Sequence, residues 1–330
     1  MAASGSKAAA EWTSAWAIGA GGWTSVVASA IEHDSVLAAI RAGAADHVAV
    51  PATRDGVVDL AALEALLRDS GPPARTLLTL QTANNETGVL QPVAEASAIA
   101  RAHGVRVHTD AVQAAGRVAI DWQGSGVDAL SLSAHKLGGP KGVGALVLSE
   151  RLALRALIPG SQERRRRGGT ENVVGICGFG AAARAALADL ADAPRIAGLR
   201  DRLEAGVIEA RPGTEVIGRS VPRLPNTSLI ACPGERAETA VIRLDLAGLS
   251  VSAGAACSSG KVGASHVLAA MGLPPELARA ASGALRSMMR LLVRSQSGAW
   301  ALLARSIDSA RSPQSRRRRS ISHCGWSKRF

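Results

Sequence analysis

Residues 105–113 read VRVHTDAVQ, and residues 128–149 read DALSLSAHKLGGPKGVGALVLS. Their apolar runs predict three short strands, and the first two runs end in the polar groups HTD and SAHK. Upstream of them, further strand-like runs alternate with helical stretches such as DLAALEALLRDSG and VAEASAIARAHG. The alternation of strand and helix predicts an α/β fold, in which helices cover a mostly parallel sheet.

The pattern changes after Gly175. Two long helical stretches come first, and the strand-like runs TEVIG, NTSLIAC and GLSVSAG then follow, with a helical run between the last two. This order predicts a smaller α+β domain that begins near residue 194. We therefore expect a large domain over residues 1–193, a small domain over residues 194–294 and a disordered tail over residues 295–330.

The composition indicates a globular chain. Apolar residues make up 47% of the 330 residues and charged residues 20%, which suits a sizeable core and excludes a disordered protein. We find no apolar run of the roughly 18 residues that a membrane helix needs and no secretory signal. The four cysteines are widely spaced, so we expect no disulfide scaffold, no metal site, no membrane partner and a cytoplasmic location.

The basic charge is concentrated at the C-terminal end. The net charge is +11, but residues 286–330 hold eleven Lys or Arg and one acid, which leaves about +1 for the rest of the chain. The four arginines at 316–319 would contact the phosphates of a nucleic acid. Because such a run is more typical of a solvated end, we expect no specific nucleic-acid partner; nucleic-acid binding stays an alternative that rests on the tail alone.

Polar residues cluster where the predicted strands end. In a parallel sheet the carboxyl ends of the strands lie on one edge, and ligands bind there. We therefore expect one site built from four strand ends: Glu32-His33, Asn84-Asn85-Glu86, His108-Thr109-Asp110 and Ser133-Ala134-His135-Lys136.

Lys136 is the most informative of these residues. The chain has 33 arginines and only five lysines, yet SAHKLGG keeps a lysine. An amine forms a Schiff base once its pKa is lowered, whereas a guanidinium does not deprotonate. Taken alone, Lys136 also fits an ordinary surface lysine in a Gly-rich turn.

The neighbours of Lys136 point to pyridoxal phosphate (PLP). This cofactor needs a lysine for its aldehyde, an acid at its ring nitrogen and donors at its phosphate. Asp110 is placed for the ring nitrogen and Gln113 for the ring hydroxyl, while Ser133 and His135 offer phosphate donors. For Asp110 alone, a helix N-cap is an equal alternative.

Five motifs together resemble one known family. HTDAVQ and SLSAHKLGGPKGVGAL are similar to the class V aminotransferase group of PLP enzymes. ANNETG, ERRRRGGTENV and SAGAACSSGKVGASHVL narrow the resemblance to cysteine desulfurases of the NifS/IscS kind. The resemblance runs from about Ser29 to Arg286, and it implies PLP-dependent fold type I with a large domain and a smaller α+β domain.

The resemblance assigns catalytic roles to individual residues. It implies that Lys136 binds PLP covalently and moves protons, and that Cys257 is the nucleophile. It also implies that His33 stacks on the pyridine ring, that Asn85 contacts substrate and cofactor, and that Arg286 clamps the substrate carboxylate.

Further residues are implied to hold the cofactor. Besides Asp110, Gln113, Ser133 and His135 within the chain, Thr170 is implied to reach the phosphate in the other subunit of a homodimer. The resemblance also implies that the N-terminal part of the large domain is shorter than the family pattern. In the family pattern an N-terminal loop binds the cofactor phosphate, and the resemblance implies that the hydroxyl of Ser6 belongs to this loop.

The cysteines divide into two kinds. Cys257 lies in SAGAACSSG, a stretch of small residues suited to carrying a thiol to a substrate and away again. Lys261 and His266 follow closely and are candidates for stabilising its thiolate. Cys177 and Cys232 fit small buried apolar residues instead.

The resemblance implies one reaction and leaves alternatives open. L-cysteine would be converted to L-alanine, and the sulfur would pass as a Cys257 persulfide to a scaffold or carrier protein for iron–sulfur clusters or thiolated cofactors. The alternatives are another class V PLP enzyme, such as an aminotransferase or a selenocysteine lyase, or a truncated inactive relic of the family. Cys257 in its loop of small residues favours desulfuration.

Overall fold

Six strands form the larger of two sheets in the computed structural model, which describes residues 17–43, 46–69, 75–253 and 265–284. The order is β2-β1-β3-β4-β5-β6; the first five strands are parallel, and β6 is antiparallel to β5. The predicted mostly parallel sheet is therefore confirmed, with an antiparallel strand at one edge. The strands are β1 Ser25–Ser29, β2 Asp46–Val50, β3 Thr76–Thr79, β4 Arg106–Asp110, β5 Ala129–Ser133 and β6 Gly144–Leu148.

Helices connect the parallel strands where the sequence predicts them: α1 Asp34–Ala42, α2 Leu60–Asp69 and α3 Val93–Ala102. At the end of α3, Gly104 takes a φ of +69°, a conformation that glycine adopts without strain and that ends the helix. The apolar face of α2 packs with α3 on β1, β3 and β4, and Leu63 and Leu67 lie in that core. These contacts hold the parallel strands in register beneath their carboxyl ends.

A second sheet follows in the chain, antiparallel and in the order β7-β8-β10-β9. The strand β10, Ala281–Ala284, was not predicted, because its sequence ASGA consists of residues with little preference for strands. It forms because β8 and β9 pair with it on both sides. The strands are β7 Glu215–Val216, β8 Ser228–Ala231, β9 Val251–Ala253 and β10 Ala281–Ala284.

Helices also pack on this second sheet: α5 Ala193–Ala210, α6 Ala237–Leu246, α7 His266–Ala270 and α8 Pro275–Ala280. Leu203 and Val207 of α5 bury their side chains with Ile230 of β8. This architecture agrees with the predicted α+β character of the segment. The domain boundaries at residues 193 and 294 remain predictions.

The long helix α4 Val173–Asp189 exposes much of its apolar surface. Val174 is 86% exposed and Leu187 is 70% exposed. Cys177 is exposed as well, so its prediction as a small buried residue is wrong. The helical span Val173–Ala210 is also long and apolar enough to cross a membrane by length and composition alone, contrary to our expectation.

The hairpin of residues 84–90 ties the two sheets together. The Leu224 N–H donates a hydrogen bond of 2.8 Å to the Gly88 carbonyl, and the Leu90 N–H donates one of 2.9 Å to the Pro222 carbonyl. Gly88 has a φ of +74°, so a side chain there would strain the backbone. This hairpin therefore brings β8 and its neighbours next to the end of β3.

Candidate active site

The four strand ends that carry the predicted site residues are neighbours in the larger sheet. β1 leads to His33, β3 leads to Asn85, β4 ends at Asp110 and β5 leads to Lys136, and the sheet order is β1-β3-β4-β5. The loops are joined by backbone bonds, such as the 2.8 Å bond that the Thr82 N–H donates to the Asp110 carbonyl. These strand ends therefore share one edge, as the sequence predicts.

His33 forms the N-cap of α1. Its Nδ1 accepts a hydrogen bond of 3.2 Å from the Ser35 N–H and lies 2.7 Å from the Ser35 hydroxyl. The cap fixes the ring at the beginning of α1, beside the end of β1. Stacking of this ring on a cofactor remains a prediction.

The two asparagines of the NNETG loop have different environments. Asn84 holds the loop together, because its Oδ1 accepts bonds of 2.9 Å from both the Glu86 and the Thr87 N–H groups. The Oδ1 of Asn85 is buried and has no hydrogen-bond partner. Since a buried amide oxygen normally has a donor, this atom is suited to a bound ligand.

Two buried carboxyls lie at this edge of the sheet. Burial, and then the charge of Asp110, raise the pKa of Glu32 to about 8. Burial also raises the pKa of Asp110 to about 6, against the opposing effects of the Val112 N–H and of Lys136. At neutral pH the pair therefore carries one negative charge, on Asp110.

Lys136 lies in a short 3₁₀ turn, Ala134–Leu137, directly after β5. The turn ends at Gly138, which has a φ of +85° and so allows the chain to reverse without strain. Lys136 is half-buried, and its charge lowers the pKa of Asp110. The predicted lysine and the predicted ring-nitrogen acid thus interact electrostatically.

Ser133 and His135 form a polar pair on either side of Ala134. The Ser133 Oγ lies 2.7 Å from the Nδ1 of His135. Burial, together with the charges of Lys136 and Lys141, lowers the pKa of His135. One hydrogen lies between the two side chains, so the pair keeps one donor, either the His135 Nε2–H or the Ser133 O–H, for an anionic oxygen.

A histidine below the site connects three strands. His108 of β4 is fully buried, with Nδ1 2.9 Å from Thr79 Oγ1 on β3 and Nε2 2.8 Å from Ser131 Oγ on β5. Burial lowers the pKa of His108 to about 4, so the ring is neutral. His108 and Asp110 lie two residues apart on one face of β4, so the polar bridge supports the strand that positions the acid.

These residues fit PLP, as three observations indicate. Asp110 offers a buried carboxylate for a pyridinium nitrogen, Asn85 offers an oxygen without a partner, and Lys136 offers the amine. By contrast, the described part of the chain contains no group of three His, Cys, Asp or Glu side chains suited to a metal ion.

The remaining predicted residues are placed as follows. Gln113 is half-buried in the turn after β4, and Thr170 is exposed just before α4. Ser6, Cys257 and Arg286 lie outside the described residues, so their roles remain predictions.

Sequence reasoning missed the way in which Glu86, Ser265 and His266 meet at the site. Glu86 was noted only as one of several polar residues, and His266 only as a candidate to stabilise a thiolate. Ser265 donates a hydrogen bond of 2.6 Å to the Glu86 Oε2, although 179 residues separate the two. No local pattern signals such a contact.

Comparison with families of known proteins gives a match over most of the chain. The family model described as aminotransferase class-V matches residues 4–286. A cysteine desulfurase from Cereibacter sphaeroides is 45% identical over 267 residues, which are 79% of this chain and 66% of that protein. The chain thus spans about two thirds of the length of this relative.

Solved structures agree with this match. An X-ray structure of a NifS-like protein from Rickettsia africae superposes with a TM-score of 0.80 at 30% identity, over 93% of this chain and 80% of that one. A structure titled SspA in complex with cysteine gives a TM-score of 0.68 at 26% identity, over 84% of this chain and 79% of that one. Both likenesses support the α/β fold with its second, smaller sheet.

Proposed function

This chain belongs to the class-V aminotransferase family, and we propose that it is a PLP-dependent cysteine desulfurase that converts L-cysteine to L-alanine. The observation that carries the proposal is the placement of Asn85, Asp110 and Lys136 on one edge of the sheet. The name of the Cereibacter sphaeroides relative and the cysteine-bound structural neighbour support the choice of reaction and substrate.

The proposed site holds PLP through its own residues. Lys136 would bind the aldehyde carbon, Asp110 would pair with the ring nitrogen, and the hydrogen-bonded pair of Ser133 and His135 would donate to the phosphate. The Asn85 side chain would donate or accept a hydrogen bond where the cofactor and the substrate meet. When bound, PLP supplies an electron sink for the bonds at the substrate Cα.

The residues of the chain supply the rest of the chemistry. With PLP bound, the Lys136 amine would be the base that takes the proton from the substrate Cα. The Cys257 thiolate attacks the substrate sulfur, so that an S–S bond forms on Cys257 as the substrate C–S bond breaks. L-cysteine and one enzyme thiol thus give L-alanine and one enzyme persulfide, with no external oxidant.

We propose that the protein works as a homodimer. The apolar face of α4 supports this proposal, because Val173, Val174 and Ile176 are exposed in the single chain. Apolar surface of this kind is typical of a contact with another protein. Thr170 lies three residues before this face, where a second subunit would bring it close to a cofactor.

We also propose the setting in which the protein acts. The Cys257 persulfide would pass its sulfur to an acceptor protein for iron–sulfur clusters or thiolated cofactors, in the cytoplasm. A second candidate function, that of an aminotransferase, shares the same Lys136 and Asp110. Cys257 within a Gly-, Ala- and Ser-rich stretch favours desulfuration over it.

The visible absorption spectrum tests the proposal together with product analysis. The chain is loaded with PLP, freed of unbound PLP by gel filtration and then mixed with L-cysteine and a reductant, alongside Lys136→Ala and the surface control Glu95→Gln. We expect a protein-bound visible band that L-cysteine changes, with alanine and sulfide released by the wild type and the control only. A wild type that is colourless once unbound PLP has been removed would contradict the proposal and favour the inactive relic. L-cysteine-dependent amino transfer to a 2-oxo acid without sulfide would favour the aminotransferase.

A further inference from the structure

Ser265 is fixed to the NNETG loop by a side-chain contact. Its hydroxyl donates a bond of 2.6 Å to the Glu86 Oε2 and accepts one of 3.1 Å from the Leu268 N–H. The second bond makes Ser265 the N-cap of α7. One hydroxyl thus attaches the beginning of α7 to the loop that carries Asn85.

The next residue makes a second contact, to the loop after β1. The Nε2 of His266 donates a bond of 2.8 Å to the Glu32 carbonyl oxygen, which fixes the proton on that nitrogen. Its Nδ1 lies 3.6 Å from an Asp34 carboxylate oxygen. Glu32 and Asp34 flank His33, so this contact attaches α7 to a second loop of the candidate site, next to the loop that carries Asn85.

Burial of the Glu86 carboxyl at this place costs free energy of folding. It is 4% exposed, and its Oε1 is buried without a hydrogen-bond partner. Burial raises the pKa of Glu86, whereas the Ser265 hydrogen bond and the charge of His266 lower it. A buried carboxyl with incomplete partners destabilises a fold, so its presence points to a role in specifying one geometry.

The contacts of Ser265 and His266 lie close to Cys257 along the chain. Ser265 lies eight residues after Cys257, and the intervening chain can span at most about 28 Å whatever its conformation. On the other side, Ala253 of β9 lies four residues before Cys257 and pairs with β10. The place of Ser265 therefore limits where the Cys257 thiol can go.

We propose that Glu86 and His266 are positioning residues that hold the Ser265 end of the Cys257 segment against the loops carrying Asn85 and His33. This inference rests on the proposed function. It assigns to the contacts of these two loops the task of anchoring the chain end from which the thiol reaches the substrate sulfur. Because reaction needs the thiol close to the substrate sulfur, loss of the contacts that anchor this end of the segment should slow sulfur transfer.

The test separates sulfur transfer from substrate binding. The variants are Glu86→Gln, Ser265→Ala and His266→Gln, with Ser265→Thr to restore the hydroxyl and Glu95→Gln as an exposed control. Single-turnover formation of the Cys257 persulfide measures transfer. The change in the visible band of PLP-loaded enzyme on titration with L-cysteine, in a Cys257→Ser background, measures substrate binding.

We expect persulfide formation to slow by roughly 10- to 100-fold in Glu86→Gln and Ser265→Ala. L-cysteine binding should stay within about twofold, and Ser265→Thr should recover most of the rate. An unchanged persulfide rate would overturn the inference. A slower rate together with weaker L-cysteine binding and a lower melting temperature would also overturn it, because that combination indicates a merely structural role.

A third measurement needs no turnover. The rate at which iodoacetamide alkylates Cys257, followed by peptide mass spectrometry, reads the surroundings of the thiol directly. We expect it to change several-fold in Ser265→Ala and not in Glu95→Gln, and equal rates in both would overturn the inference. If the wild type forms no persulfide, the proposed function fails, and this alkylation rate still decides the positioning role.

Discussion

Asp110 and Glu32 are buried carboxyls at the same edge of the sheet, and burial, followed by the charge of Asp110, raises the pKa of Glu32 to about 8. The Glu32 side chain accepts the Gln81 N–H through one oxygen, while its other oxygen has no hydrogen-bond partner. A proton on Glu32 therefore keeps a second negative charge away from Asp110. Asp110 is left as the anion that a pyridinium nitrogen would face.

The stability of the fold should depend on pH through Glu32. The pKa of Glu32 is raised from 4.5 to about 8 on folding. Its contribution to the free energy of unfolding is therefore complete below about pH 4.5 and is lost as the pH rises through 8. Between pH 5 and pH 8 the wild type should lose about 3 kcal/mol relative to Glu32→Gln. Urea unfolding of both proteins at the two pH values, in the same cofactor state, measures this difference. Parallel pH dependences would contradict the burial of an ionisable Glu32.

His108 should affect stability in the opposite direction. Its pKa falls from 6.5 to about 4 on folding, so its contribution is present above pH 6.5 and is lost as the pH falls through 4. The loss amounts to about 3 kcal/mol by pH 4. ¹⁵N NMR should show a neutral His108 ring at pH 5.5, with the signal identified by its absence in His108→Gln. A midpoint near 6.5 would rule out the polar bridge to Thr79 and Ser131.

The buried ion pair behind the hairpin of residues 84–90 should be sensitive to the loss of one partner. Arg223 donates bonds of 2.8 and 2.9 Å to the two carboxylate oxygens of Glu204, and both side chains are almost fully buried. Glu204→Ala leaves a buried guanidinium unpaired and should cost about 3 to 5 kcal/mol of unfolding free energy.

The exposed pair of Asp192 and Arg195 is the matched control for that experiment. Asp192→Ala should cost far less than Glu204→Ala, because solvent screens the exposed pair. Chemical denaturation measures both values. Equal losses in the two variants would show that burial of the Glu204 pair has no energetic consequence.

The proposed dimer should depend on the apolar face of α4. Val174→Asp places a charge at the centre of that face and should shift the protein to the monomer at micromolar concentration. Ile242→Asp is the control, since Ile242 of α6 is an equally apolar residue that is 62% exposed. Sedimentation velocity distinguishes the two states. A wild type that is monomeric, or a Val174→Asp variant that stays dimeric, would contradict the proposed interface.

Much of the fold could be predicted because its signals are local. The alternation of apolar runs with helical stretches predicted β1 to β5 and the helices between them. The helical stretch VAEASAIARAHG closes with Gly104, and the structure gives this glycine the left-handed conformation that a helix end allows. The polar strand ends followed from the rule that parallel strands end on one edge.

The remainder depends on contacts that a local pattern does not record. β10 has the sequence ASGA and forms only because β8 and β9 flank it. The link from Ser265 to Glu86 joins residues far apart in the chain. Cys177 was misjudged because burial of a small apolar residue depends on what covers its helix, and the exposed face of α4 is visible only in three dimensions.

The most direct test of the proposed function is the intact mass of the protein after brief exposure to L-cysteine without reductant. The wild type, loaded with PLP, should gain the mass of one sulfur atom, and peptide mapping should place it on Cys257 with an equal amount of L-alanine in solution. Cys257→Ser and Lys136→Ala should gain nothing. A wild type that binds PLP yet neither gains sulfur on Cys257 nor releases alanine would contradict the assignment as a cysteine desulfurase.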